Sequence, residues 1–254
     1  MGNYSILQCA SPIHFQGNKT GILVIHGFTG TTQSIRFLSE QFRDAGYTVL
    51  APRLSGHGTA PQDMAAKTYL DWIFNVEEAL ATLKETCTTI FVAGLSMGGT
   101  LTLYLAEKYP EIAGIMPINA AIDLPGLKKD YEKFTAEEKR YVDGIGSDVK
   151  DEEVKELAYR QTPVKAMEQL LLLMEEVREK LSLIKMPTLI FSSEVDHVVP
   201  PENSQYIFDA IRSETKTIQS LENSYHVATI DHDKELIASK CLQFIAEEES
   251  KHLS

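Results

Sequence analysis

The sequence predicts one α/β domain, a mostly parallel sheet wrapped by helices on both faces. Three observations carry that prediction. Short apolar runs alternate with amphipathic helical runs along most of the 254 residues. The run Thr89 to Ala93 leads through Gly94-Leu95-Ser96-Met97-Gly98 directly into a helix, and that context is a sharp turn lifting a serine hydroxyl above a sheet. Ser96, Asp196 and His226 each follow a strand, in the chain order expected with such a turn.

The elements run as follows. Gly21 to Ile25 is a short apolar strand. Ser34 to Ala45 is amphipathic, with Ile35, Leu38 and Phe42 at helical spacing, and Gly46 ends it. Tyr47 to Ala51 is a second strand. Thr68 caps a helix that reaches about Thr86, with Asp71 three residues on and Trp72, Val76, Leu80 and Leu83 on one face. The third strand, Thr89 to Ala93, precedes the helix after Ser96. Gly114 to Ile118 is the fourth main strand and Pro187 to Ser192 the fifth. Pro201 to Ile211 is a helix with proline at its start. Thr215 to Leu221 is the sixth strand, and a last helix runs from about Asp233 to Glu249.

The interval 124–184 breaks the alternation and carries no strand signal. It reads as a charged loop (Lys128 to Arg140), a Gly144-Ile145-Gly146 turn and two helical stretches, the second holding Met167, Leu170, Leu171, Leu173 and Met174. Two readings are open: a helical cap inserted after the fourth main strand and lying over the strand ends, or an enlarged crossover packed on the sheet. The domain is otherwise one unit, 1–254.

Composition bounds the partners. Hydrophobic residues make up 43% and charged residues 24%, ordinary for a globular protein. The net charge of −12 leaves no basic stripe for nucleic acid or for electrostatic docking on anionic membranes. Cys9, Cys87 and Cys241 are odd in number and lack metal-site spacing, which fits free thiols in a reducing compartment. No basic region followed by an apolar one opens the chain, so no signal peptide is expected, and no apolar run is long enough to span a bilayer. The expected location is cytoplasmic.

In a parallel sheet the ligand crevice lies at the carboxyl ends of the strands. His26, Ser96, Asn119, Asp196 and His226 stand there. Ser96 reads as a nucleophile, with the helix behind it aiming free N–H groups and the positive end of its dipole at the reacting centre. A serine needs a base, and the base an orienting acid. His226, between the sixth strand and the last helix, is the base. Asp196 is the acid, with Asp123 and Glu194 as alternatives. His26 and His57 lie in glycine-flanked loops that they shape, and His197 neighbours the acid without a role of its own. The backbone N–H of Met97 and that of Phe28, in the loop His26-Gly27-Phe28-Thr29-Gly30, form the oxyanion hole. This chemistry proceeds through an acyl-enzyme and calls for no metal or cofactor.

These motifs, with Asp196-His197-Val198-Val199-Pro200 and Asn223-Ser224-Tyr225-His226, together resemble the α/β-hydrolase superfamily. They are most similar to its small bacterial carboxylesterases and monoacylglycerol lipases, over nearly the whole chain. The resemblance implies an α/β-hydrolase fold with six to seven strands, since the segment before His26 has room for one strand near Ile13 to Phe15. It implies a serine hydrolase of lipid carboxylic esters, with monoacylglycerol cleaved to glycerol and fatty acid. A general short- or medium-chain carboxylesterase is the alternative, and a ligand-binding receptor the non-enzymatic one. Gly144-Ile145-Gly146-Ser147-Asp148 and Lys155-Glu156-Leu157-Ala158-Tyr159 resemble the cap of the bacterial monoacylglycerol lipases. That likeness implies that Glu156 hydrogen-bonds the glycerol hydroxyls and that Ile145 touches the glycerol end. The stripe Met167, Leu170, Leu171 and Met174 could line an acyl tunnel or simply be core. An apolar cap face could rest transiently on a lipid surface.

Overall fold

The computed structural model describes residues 4–252. A seven-stranded sheet forms the centre: β1 (Ile13–Phe15), β2 (Thr20–Ile25), β3 (Thr48–Ala51), β4 (Thr89–Leu95), β5 (Gly114–Ile118), β8 (Thr188–Ser193) and β9 (Lys216–Leu221). The spatial order is β1-β3-β2-β4-β5-β8-β9. All neighbours are parallel except β1, which pairs antiparallel with β3 at one edge. The sheet is thus mostly parallel, with seven strands, and the extra strand lies at Ile13 to Phe15 as the sequence predicts.

β2 and β4 run through the middle, and apart from a half-buried Thr89 every residue in them is buried. Strands buried on both faces are continuously apolar for that reason. Alternate residues feed two cores. Leu23, Ile25 and Val92 meet α3 (Tyr69–Thr86), α4 (Met97–Lys108) and α6 (Val164–Arg178) on one face. Ile22, Val24, Phe91 and Ala93 meet α1 (Arg36–Asp44) and α8 (Lys234–His252) on the other. The capping box at Thr68 and Asp71 is formed, the Thr68 N–H donating to Asp71 Oδ2 at 2.7 Å. The helix between Pro201 and Ile211 is α7 (Glu202–Ala210). A short α2 (Pro61–Met64) adds to the elements that the pattern predicts.

The interval 124–184 differs from its sequence reading in three ways. The charged loop is mostly α5 (Pro125–Ala136), a helix with proline in its first turn and no buried residue. Two strands are present, β6 (Tyr141–Asp143) and β7 (Gln161–Pro163), paired antiparallel as a separate small sheet. Residues 151–159 form no helix. Their backbone N–H groups are claimed by side chains and loops instead: Glu156 N–H by Ser147 Oγ, Leu157 N–H by Gln33 Oε1, and Tyr159 N–H by the Thr29 carbonyl. The last two bonds tie this stretch to the loop after β2. α6 packs on α3 and α4, and its Leu173 and Val177 are fully buried.

Among the described residues no helix is long and apolar enough to cross a membrane. Cys9 is an exposed free thiol, and Cys87 and Cys241 are buried ones.

Candidate active site

The turn between β4 and α4 forces Ser96 into a left-handed conformation, φ 57° and ψ −120°. A non-glycine residue held there costs about 1–3 kcal/mol, sustained only when the surroundings over-determine it. They do so by close packing. A Cβ on Gly94 would run into the Gly98 carbonyl, and one on Gly98 into the Ile25 carbonyl. The two glycines let the helix start pass against the neighbouring strand, so the serine stands at the tip of the turn.

Three loops then converge on Ser96. His226, after β9, has Nε2 2.9 Å from Ser96 Oγ and Nδ1 2.8 Å from Asp196 Oδ2. Asp196, after β8, accepts the Val198 and Val199 N–H groups on its other oxygen at 2.8 and 2.7 Å. Its side chain is 2% exposed and that of His226 8%. A carboxylate so placed fixes the Nδ1–H tautomer of the imidazole and leaves Nε2 free to accept from the serine. Asn119, at the end of β5, braces the histidine loop, its amide donating to the His226 carbonyl at 2.8 Å and to Ser193 Oγ at 2.9 Å.

The two alternatives to Asp196 lie elsewhere. Asp123 is exposed and pairs with Arg178 at 3.1 Å. Glu194 is exposed and accepts from Ser220 Oγ. His197 has its Nδ1 2.8 Å from Asp148 Oδ1 and does not touch the serine–histidine–aspartate chain directly.

The loop after β2 is held from behind. His26 is fully buried, its Nδ1 near the Gly27 carbonyl and its Nε2 accepting from Leu54 N–H at 3.1 Å. Burial lowers its pKa to about 4, so it is a neutral brace. His57 is also fully buried, and burial holds it neutral as well. His57, Trp72 and Phe28 pack ring edge to ring face at 5.6 to 6.4 Å between centroids. This fixes Phe28 beside Ser96. Among the described residues neither the Phe28 nor the Met97 N–H joins the backbone bonds of turns and caps. Met97 directly follows the serine, and Phe28 lines the same cavity as Ser96.

A cavity of about 270 Å³ opens over Ser96 and His226, and its wall includes Phe28, Ile145, Glu156 and Leu170. An adjoining hollow of about 440 Å³ shares Phe28, Leu127 and Ile145 with it and reaches Met167. Leu171 and Met174 do not line either space. They face a separate hollow beside Asp123 and Arg178, and Met174 is 3% exposed within the main core. The four positions share one face of α6, but that face is broad: Leu170 and Met167 reach the two joined spaces, while Leu171 and Met174 lie against the core and the neighbouring hollow.

Glu156 is half-buried, with its carboxyl against Gly30, where a Cβ would collide with it. Burial raises its pKa to about 7, opposed by the charge of His226 and a hydrogen bond from Ser34. It is a carboxyl facing the cavity from an irregular strand of chain, not a solvated residue on a helix face. Sequence reasoning passes over Asp148, which meets both the acid loop and the base loop. Only its place in the stretch 144–148 hints at it.

The chain is similar to several known proteins. A family model described as serine aminopeptidase, S33, matches residues 16–233. A thermostable monoacylglycerol lipase of Bacillus sp. (strain H-257) is 51% identical, over 96% of this chain and 97% of that protein. A carboxylesterase of Bacillus subtilis (strain 168) is 30% identical, over 92% of this chain and 95% of its own length. A solved structure from work on two metagenome-derived lipolytic enzymes, LipS and LipT, superposes with a TM-score of 0.92 at 48% identity, covering 96% of this chain and 100% of that one.

Proposed function

The chain belongs to the serine aminopeptidase S33 family of the α/β-hydrolase superfamily, and from that membership we propose how it works: as a monoacylglycerol lipase with Ser96 as nucleophile, His226 as base and Asp196 as orienting acid. Hydrolysis of lipid carboxylic esters is the activity of the enzyme. The observation that carries the residue assignment is the unbroken chain Ser96–His226–Asp196, with links of 2.9 and 2.8 Å, at the floor of a cavity.

The steps follow from the geometry. His226 Nε2 takes the Ser96 proton as Oγ attacks the ester carbonyl. The Phe28 and Met97 N–H groups, with the start of α4 behind them, hold the oxyanion. His226 then hands the proton to the departing alcohol, leaving an acyl-serine. Water attacks this ester with His226 again as base.

The substrate assignment rests on the cavity and on the relatives. A volume of about 270 Å³ lies just under the usual range for small-ligand sites, about 300–1,000 Å³. That size suits one acyl chain and a small alcohol. Glu156 and Ile145 would face the glycerol, and Leu170 with Met167 would flank the chain, each buried methylene contributing about 0.8 kcal/mol. The interval 124–184 would act as the cap over this space. Its Leu172 is an apolar side chain 41% exposed on the outside of α6, of the kind suited to brief contact with aggregated lipid. Three free thiols suit the cytoplasm as its place of work.

The test is a substrate series on purified protein: monoacylglycerols of several chain lengths, matching di- and triacylglycerols, and p-nitrophenyl esters. A clear preference for monoacylglycerols is the expected result. Equal activity on simple short esters, with no benefit from glycerol, would leave a general carboxylesterase and return Glu156 and Ile145 to structural roles.

A further inference from the structure

Asp196 and His226 sit on two separate loops after the paired strands β8 and β9, tied at their roots by Ser193 Oγ–H donating to the Tyr225 carbonyl at 2.9 Å. We propose that Asp148, contributed by the interval between β5 and β8, is the positioning residue that cross-links those loops and so holds acid and base in register. The inference rests on the reading of Ser96, His226 and Asp196 as the catalytic chain.

The contacts are specific. One oxygen, Asp148 Oδ2, accepts the backbone N–H of His197, the residue after Asp196, and the backbone N–H of His226 itself, both at 3.2 Å. The other, Oδ1, meets the His197 imidazole Nδ1 at 2.8 Å. The Asp148 carbonyl accepts the Val227 N–H at 3.0 Å. One residue therefore touches the neighbour of the acid, the base and the residue after the base. The Asp148 side chain is 15% exposed, so water competes poorly for these donors.

The segment that delivers Asp148 is itself anchored. Asp231, fully buried, accepts N–H groups from Lys150 at 2.7 Å, Asp151 at 3.0 Å and Tyr225 at 2.9 Å. The half-buried Asp148 and the buried Asp231 thus join residues 148–151 to residues 225–227. This side of the interval is part of the catalytic frame, whatever the rest does over the cavity. Hydrogen bonds to a charged acceptor are the stronger kind, and losing a shared one frees both loops at once.

The experiment compares Asp148→Ala with Asp148→Asn and His197→Ala, using p-nitrophenyl ester hydrolysis and the rate of covalent labelling by a fluorophosphonate. Asparagine keeps an oxygen for the two backbone donors, and His197→Ala keeps its own N–H. Asp148→Ala should lower kcat and the labelling rate about tenfold to a hundredfold, with KM moving less than about threefold. Asp148→Asn should recover most of that loss, and His197→Ala should stay within about threefold of the parent. Should Asp148→Ala fail to fold, Asp148→Leu against Asp148→Asn makes the same comparison between a side chain without an acceptor and one with it. An unchanged kcat in the variant lacking an acceptor, a loss confined to KM, or an asparagine variant as slow as alanine would each overturn the proposal. Ser96→Ala is the control: continued labelling there would overturn the triad reading, while its loss beside a fast Asp148→Ala would overturn the cross-link alone.

Discussion

Asp196→Asn probes the base through its tautomer. In the parent, Asp196 Oδ2 lies 2.8 Å from His226 Nδ1, and Oδ1 accepts the N–H groups of Val198 and Val199. Asparagine has one oxygen and one NH₂. The two backbone donors claim the oxygen, since turning the NH₂ toward them would set donor against donor twice. The NH₂ must then face His226 Nδ1 and donate to it. That forces the imidazole proton onto Nε2, pointing at Ser96, where the ring can no longer take the serine proton. Removal of the correct tautomer in such a chain costs about 10⁴-fold in kcat. The fold should survive, because both backbone bonds are kept and no volume changes; a stability loss of about 1–2 kcal/mol is the scale for exchanging a charged acceptor for a neutral one. The assay is steady-state hydrolysis of a p-nitrophenyl ester beside a thermal melt. A variant that folds normally and loses less than about tenfold in kcat would refute the reasoning, since His226 would then not depend on Asp196 for its proton placement.

Three further outcomes follow from the same structure. Gly98→Ala places a Cβ against the Ile25 carbonyl, so it should cost at least the roughly 1–3 kcal/mol of overpacking, visible in a melt, and abolish turnover by displacing Ser96. Glu156→Gln separates pH from stability. The folded-state value of about 7 lies above the ordinary 4.5, so the parent keeps the benefit of the neutral form below about pH 4.5, loses it as pH rises and has lost it above about 7. The melting temperature of the glutamine variant should therefore gain on the parent between pH 4.5 and 7 and then run parallel to it; a constant gap across that window would count against the burial of this carboxyl. Leu170→Ala should shift the acyl-chain preference because Leu170 lines the cavity over Ser96, whereas Leu171→Ala should leave the preference alone; equal shifts would contradict the placement of the two side chains.

The parts of this molecule legible in sequence are those where local chemistry and tertiary fold agree. Thr68 and Asp71 are three residues apart, so their capping box is written in the chain, and the helix begins where they place it. Gly94 and Gly98 mark the serine turn because only a missing Cβ allows the backbone contacts found there. The alternation of strand and helix suffices for the sheet. The interval between β5 and β8 is harder to read for physical reasons. α5 has no fully buried residue, and its Leu127, Tyr131 and Phe134, though at helical spacing, are only half-buried among charged neighbours, so the stripe is faint. β6 and β7 have three residues each, too few to show a period of two. Residues 151–159 hold good helix formers, yet Ser147, Gln33 and Thr29 take their N–H groups. Gln33 lies 124 positions from Leu157, and no local pattern announces a partner so distant. Asp148 is hidden for the same reason: its work exists only once two distant loops meet.

In this mechanism Ser96 carries the acyl group. The direct measurement is rapid quenching of the enzyme during turnover of a p-nitrophenyl ester, digestion, and mass spectrometry of the peptide that contains Ser96. This peptide should gain the mass of the acyl group at Ser96, and the gain should be absent from Ser96→Ala, which should also be inactive. An acyl group found on another residue, or full turnover by Ser96→Ala, would contradict the mechanism.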